Sequence, residues 1–326
     1  MLIYVPPADG DDGGSDVAID FSQLTTPDGP SGFAQRILGV QEVEVLLASE
    51  TVFADALASG TLQDSRTLLL TDPAELEATV LAELERLGAT SVRILGGEAA
   101  VSPAVADALM AEGYTVGRTA GATRLETAAA IGALAASSDG FLARAFPTSA
   151  DQPTQGFADA LALGGWAAEA GGPVLLSETD QLSVTTTTAL GQAGLDSLRL
   201  VGGEAALSGP VADAAGAIVA DTDRVAGPTR FHTAVAVAEA RGATASSPAD
   251  AVVVIDGGSA FGWTAGFSAA RLSGEMEAPI VLLDGDTIPD ITSDFLTDAL
   301  TDDAEVICSA SLTACDAVAD LLGLAG

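Results

Sequence analysis

The chain has 326 residues, 48% of them hydrophobic, which is enough apolar matter for a core spread over two or three domains. Its 46 acidic residues against 12 basic ones give a formal charge of −34, and all twelve cations are Arg. A field of that sign repels nucleic acid and anionic membrane, and no apolar run reaches spanning length, so neither nucleic-acid binding nor membrane insertion is expected. Aromatics make up 4%, so the core must be aliphatic and alanine-rich. The charge suits high salt, where screening relieves self-repulsion, although a Lys-poor genome leaves the same mark.

The chain begins Met1-Leu-Ile-Tyr-Val-Pro-Pro, with no basic segment and too short an apolar stretch for a secretory signal. Positions 8–16, rich in Asp and Gly, read as a solvated arm, and residues 1–19 are expected to form a flexible acidic N-terminal segment. An apolar run at 42–47 predicts a buried strand, 53–63 a helix, and 67–70 a second strand. Asp72-Pro73 predicts an N-cap and first turn for a helix with Leu76, Val80, Leu81, Leu84 and Leu87 on one face, ending at Gly88. Residues 91–95 predict a third strand, closed by Gly96-Gly97, and Ser102-Pro103 opens the next helix. An alanine-rich helix is expected from Thr123 to about Ala136. Alternation of helices with apolar strands predicts an α/β fold with parallel sheets covered on both faces.

The pattern then repeats. LeuGlyGlyGluAlaAla at Leu95 returns as ValGlyGlyGluAlaAla at Val201, and the Arg-rich segment at Arg118 returns at Arg224, both 106 positions on. PheAlaAspAlaLeu at Phe53 recurs at Phe157. A weaker third copy places Phe261 opposite Phe157, Trp263 opposite Asp159, and AlaProIleValLeuLeu (278–283) opposite GlyProValLeuLeu (172–176). Self-similarity of this kind marks tandem units, here expected at 20–115, 116–221 and 222–326. The first has a decayed Arg segment at 28–37, and the third lacks the Asp and the Gly-Gly.

Few residues suit catalysis. The single histidine, His232, has Glu126 as its counterpart one unit earlier, which argues against a nucleophile–His arrangement. No nucleophile elbow or phosphate loop is present, and one His cannot complete a zinc site beside Cys308 and Cys315. No catalytic residue, metal or cofactor is therefore expected. The two cysteines read as a loop-closing disulfide in an oxidising compartment, or else as a buried thiol pair. Gly96-Gly97 and Gly202-Gly203 can present backbone N–H groups to a ligand or simply permit tight turns. Arg118, Arg124, Arg224 and Arg230, followed by Thr127 and Thr233, are spaced alike in both copies. Guanidinium groups so placed suit oxyanions, or alternatively pair internally with carboxylates such as Asp55 and Asp159.

Taken together, Arg-x-x-Gly-x-x-Arg-x-x-Thr-Ala (118–128, 224–234), Phe-Ala-Asp-Ala-Leu, Pro-Val-Leu-Leu and the Gly-Gly strand ends resemble the cell-wall-binding repeat type 2 family over roughly 40–326. The resemblance implies three Toprim-like sandwich modules packed with pseudo-threefold symmetry, a non-catalytic body anchored non-covalently to an anionic wall glycopolymer at the cell surface. It implies that Arg118, Arg124, Arg224 and Arg230 border the polymer groove, with Asp55 and Asp159 nearby and Gly96, Gly97, Gly202 and Gly203 shaping it. An anionic polymer conflicts with a body at −34, so a neutral glycan or another protein is the other expectation. A structural part of a surface layer or phage virion, reusing the module for assembly or attachment, is the competing function.

Overall fold

The computed structural model describes residues 2–4, 44–149, 153–259 and 262–324. Twelve strands in this part form three four-stranded sheets, parallel throughout. Strand β1 is Leu2–Tyr4. Strands β2 (Glu44–Ser49), β3 (Leu68–Thr71), β4 (Ser91–Leu95) and β5 (Thr115–Thr119) form one sheet in the order β3-β2-β4-β5. Strands β6 (Asp139–Arg144), β7 (Val174–Ser177), β8 (Ser197–Val201) and β9 (Thr222–Val225) repeat that order as β7-β6-β8-β9. Strands β10 (Ala249–Asp256), β11 (Ile280–Leu283) and β12 (Leu300–Ser309) form the third sheet, and β1 supplies its remaining edge, in register Ile3 to Ile307.

Both faces of each sheet are covered because successive side chains point opposite ways. In β2, Val45 and Leu47 join Val80, Leu84, Leu87, Val105 and Leu109, from helices Ala78–Leu87 and Pro103–Ala111, in an outer core. Leu46 and Ala48 face inward to a core shared by all three sheets. That shared core contains the 3-10 helix Phe53–Leu62 and the α-helices Ala158–Ala170 and Gly262–Ser268, each following the first strand of its repeat. Their small residues permit close approach: a Cβ on Gly60 would stand 2.8 Å from the backbone oxygen of Gly164. Polar bonds tie the helix Phe53–Leu62 and its cap to neighbouring elements at buried points. Gln63 Nε2 donates to Phe267 O at 2.8 Å, and Val174 N donates to Thr61 Oγ1 at 2.9 Å.

Several expectations need correction. Leu2–Tyr4 falls inside the expected flexible segment over 1–19 but is a strand. Positions 8–16 and the decayed Arg segment at 28–37 lie outside the described residues, as does Phe261. Strands β5 and β9 close the first and second sheets, so each sheet extends beyond the repeat frames drawn at 116 and 222. Asp72 does not cap a helix. Its Oδ1 accepts from Ala74 N and Glu75 N in a local turn, and the helix starts at Ala78. Finally, the third repeat enters its last helix differently from the first, where Ser102 is the N-cap. Ser311 caps the helix Leu312–Leu322, because the third repeat lacks the Gly-Gly loop and passes from strand to helix within two residues.

Candidate functional site

In a parallel sheet, the segments that follow the strands gather at the carboxyl edge, where open α/β folds take ligands. Here that edge collects Asp55 after β2, Gly96-Gly97 after β4, and Arg118 near the end of β5; Asp159, Gly202-Gly203 and Arg224 repeat the set on the second sheet. The first Arg of each motif braces its glycine loop. Arg118 donates from Nη1 to Gly96 O at 2.8 Å and from Nη2 to Val101 O at 2.9 Å. Arg224 does the same to Gly202 O at 2.6 Å and Leu207 O at 2.7 Å. These two cations therefore meet backbone carbonyls, neither of the roles read from their spacing. The guanidinium fork matches two oxygens of one loop.

Thr127 and Thr233 are also turned inward. Each is buried, and its Oγ1 accepts from Gly121 N at 3.1 Å or Gly227 N at 3.2 Å, which closes the loop between the two motif arginines. Glu126 Oε2 accepts from Ala122 N while Thr123 Oγ1 accepts from Glu126 N, a reciprocal cap at the helix start. His232 occupies the same place, its Nδ1 2.8 Å from Thr229 Oγ1. A capping position explains why a carboxylate and an imidazole interchange there.

The second Arg of each motif is different. Arg124, half-buried, sends Nη1 to Ala145 O beyond β6 at 2.7 Å, and Arg230 sends Nη1 to Gly257 O beyond β10 at the same distance. Each therefore spans a junction between two sheets. Asp55 acts electrostatically on Arg124, and Asp159, Asp284 and Asp256 act on Arg230. Burial pushes both guanidinium groups below their usual range, and the carboxylates oppose that shift. Among the described residues neither closes an ion pair with a carboxylate, so each keeps donor capacity facing its junction. At the first junction Arg124 lies 4.8 Å from the centroid of the exposed ring of Phe146 and 5.5 Å from that of Phe53.

The second junction contains a cation that the repeat pattern did not single out. Arg144 ends β6, where β2 has Ser49 and β10 has Asp256. It is 7% exposed, donates from Nη2 to Ala205 O, and lies 3.4 Å from Gln155 Oε1 through Nη1. Its Nε has no hydrogen-bond partner. Beside it, the Asp159 carboxyl is raised to about 6, because desolvation by burial outweighs the opposing pull of Arg144 and Arg230. A lone cation at a strand end, among only twelve, was the available signal for Arg144.

The third sheet is built otherwise. Trp263, opposite Asp159 in the repeat, is buried with its ring 6.0 Å from Phe53 and 6.4 Å from Phe267. Asp256 Oδ1 accepts from the backbone N–H groups of Gly258, Ser259 and Gly285 and so organises its own loop. Cys308 and Cys315 form a disulfide that ties β12 to the helix behind it. Among the described residues no helix is long and apolar enough to cross a membrane, and no His, Cys, Asp and Glu group is placed to hold a metal ion.

A family model described as cell wall binding domain 2 (CWB2) matches residues 19–106 and 118–212. The chain is 26% identical over 239 residues to the N-acetylmuramoyl-L-alanine amidase LytC of Bacillus subtilis (strain 168), covering 72% of this chain and 44% of that protein. Two solved structures share the fold. Cwp8 from Clostridium difficile has a TM-score of 0.78 at 22% identity, covering 100% of this chain and 52% of that one. Cwp6 from Clostridium difficile has a TM-score of 0.78 at 20% identity, covering 98% and 48%. The chain thus spans about half the length of the relatives it matches, and the virion alternative draws no support from them.

Proposed function

Because the chain belongs to the cell wall binding domain 2 family, we propose that it is a non-catalytic anchoring or adhesion protein that holds a wall glycopolymer at the cell wall or cell surface. The observation that carries this reading is the pair of junction arginines, Arg124 and Arg230, which make no ion pair among the described residues. Half-buried Arg124 and Arg230 stand at matching places, each donating to a carbonyl of the next sheet, while Arg118, Arg224, Thr127 and Thr233 brace the neighbouring loops. Gly96, Gly97, Gly202 and Gly203 shape the cleft walls.

On this reading the chain is three Toprim-like modules about a pseudo-threefold axis, with one cleft at each of two junctions and the third module serving as packing partner. The module limits follow the sheets: β5 closes the first and β9 the second. The non-catalytic role is supported by what the polar side chains do. His232 caps a helix, and the motif threonines and two of the four motif arginines brace loops. The amidase LytC is matched over less than half of its length, so its activity is not carried over to this chain.

The test is retention of the intact chain on purified cell walls, at about 0.2 M and about 2 M salt, since screening separates contact binding from long-range attraction. Retention at both concentrations, without release of soluble wall fragments, is the expected outcome. Release of fragments would restore a hydrolase, and failure to bind at either concentration would remove the anchoring role.

A further inference from the structure

The second repeat carries a hollow that the third repeat fills. The helices Arg124–Gly132 and Val184–Ala193 pack beside each other on β7, and between them opens a cleft of about 530 Å³. Leu175 of β7, Ala129, Gly132, Thr185 and Ala189 line it. In the third repeat the helices Arg230–Ala240 and Asp290–Asp298 take the same places on β11. One repeated bond fixes the register: Thr186 Oγ1 donates to Leu176 O at 2.7 Å, and Thr292 Oγ1 to Leu282 O at 2.8 Å. At that offset Val235 stands for Ala129, Ile291 for Thr185, and the buried ring of Phe295 for Ala189. Three shortened side chains thus leave the space that close packing fills in the third repeat.

The outer face changes with the interior. Asp290, Asp294 and Asp298, four residues apart, form an exposed acidic stripe along the third repeat's helix. Val184, Thr188 and Gln192 replace them on the second, equally exposed. Val184 stands at the cleft rim with 83% of its surface open to solvent. Neither 127–138 nor 181–195 contains a charged residue, in a chain with 46 acids. A solvated helix face gains nothing from losing its charges, whereas the centre of an interface does.

We propose that this face pairs with the same face of a second copy of the chain about a twofold axis, each Val184 entering the other copy's cleft. The occupant follows from charge. Two bodies at −34 repel wherever acid meets acid, so they can meet closely only through a patch bare of acid on both. A twofold contact sets one patch against itself and so needs projection and hollow side by side. Val184 and the cleft supply them. The exposed Gln192 amide, which both donates and accepts, can pair with its own copy across the axis. A basic partner would be drawn instead to an acidic face such as the Asp stripe of the third repeat. This contact is independent of the anchoring role and leaves the junction arginines free to act.

The experiment is sedimentation equilibrium of the full chain between about 1 µM and about 300 µM, where a modest interface associates. The expected result is a shift from the 32.3 kDa chain mass to twice that value. Dimerisation should be about tenfold tighter at about 2 M than at about 0.2 M salt, because screening relieves the mutual repulsion. The triple variant Val184→Asp, Thr188→Asp, Gln192→Asp copies the third repeat's stripe onto exposed positions and should stay monomeric across the range. If it melts early, Ala189→Phe supplies the check: it fills the cleft as Phe295 fills the other and should weaken the dimer about tenfold. A parent that is monomeric in both salts overturns the second copy as occupant and leaves the patch to a partner of another kind. A dimer that survives both variants, or that salt dissociates, forms through a different face and equally overturns the proposal.

Discussion

A Cβ placed on Gly202 would stand 2.6 Å from Oδ2 of Asp159, so the glycine loop of the second sheet is pressed directly onto that carboxylate. The same relation joins Gly96 to Asp55 on the first sheet. Loop and carboxylate form one unit, and Arg118 or Arg224 holds the loop in place through two of its carbonyls.

Gly202→Ala must therefore strain both partners, since φ is +119° there and the space is filled. A loss of about 2–4 kcal/mol is expected, measured by denaturant unfolding, because the conformation and the clash add. Gly203→Ala, whose Cβ would meet its nearest neighbour at 3.7 Å, is the control and should cost under about 1 kcal/mol.

Asp159 makes the fold pH-dependent in an unusual direction. Its folded-state value, about 6, lies above the unfolded 3.8, so the native state holds the proton more tightly. The stability it contributes is complete below pH 3.8 and is lost as the pH rises to about 6. Asp159→Asn should flatten that slope and raise stability at neutral pH by about 1–3 kcal/mol, checked by urea titrations across the window.

Arg118 and Arg224 predict a separation of stability from binding. Arg118→Met removes both donors from the loop 96–101 and leaves two partly buried carbonyls unpaired. A loss of about 2–3 kcal/mol, read from thermal unfolding, is expected. Arg124→Met should cost less stability, because it gives up one carbonyl contact and two ring contacts, but it should weaken wall retention.

The β1 contact predicts that the chain start stabilises the third sheet. Ile3→Pro removes a backbone donor from the ladder that pairs Leu2, Ile3 and Tyr4 with Val306, Ile307 and Cys308. Hydrogen exchange should accelerate along β12 and leave β4 and β8 unchanged. Removing the disulfide by Cys315→Ser should destabilise the same sheet by about 2 kcal/mol, since the closed loop is short.

What was legible in the sequence follows from which forces have a residue signature. β2, β3 and β4 are buried on both faces, so they stand out as apolar runs, and β4 lies where it was expected. β5 and β9 are edge strands with exposed, alternating residues such as Thr115, Gly117 and Asp223, and they carry no such run. β1 is paired with a strand about three hundred positions away, which no local pattern reveals. The spacing of Arg118 and Arg224 was readable but their partners were not, because a carbonyl oxygen belongs to every residue alike. Arg144 escaped notice for the reverse reason: it is not repeated, and a reading based on repeats passes over what makes one unit unlike the others.

The most direct measurement is wall retention of the double variant Arg124→Ala, Arg230→Ala, beside a variant of one exposed surface residue, Met110→Ala. The clefts as described predict that the arginine pair loses most of its retention while its melting temperature stays within a few degrees of the parent, and that the surface variant binds as before. Unchanged retention in a folded arginine variant would place the polymer elsewhere on the molecule and contradict the account.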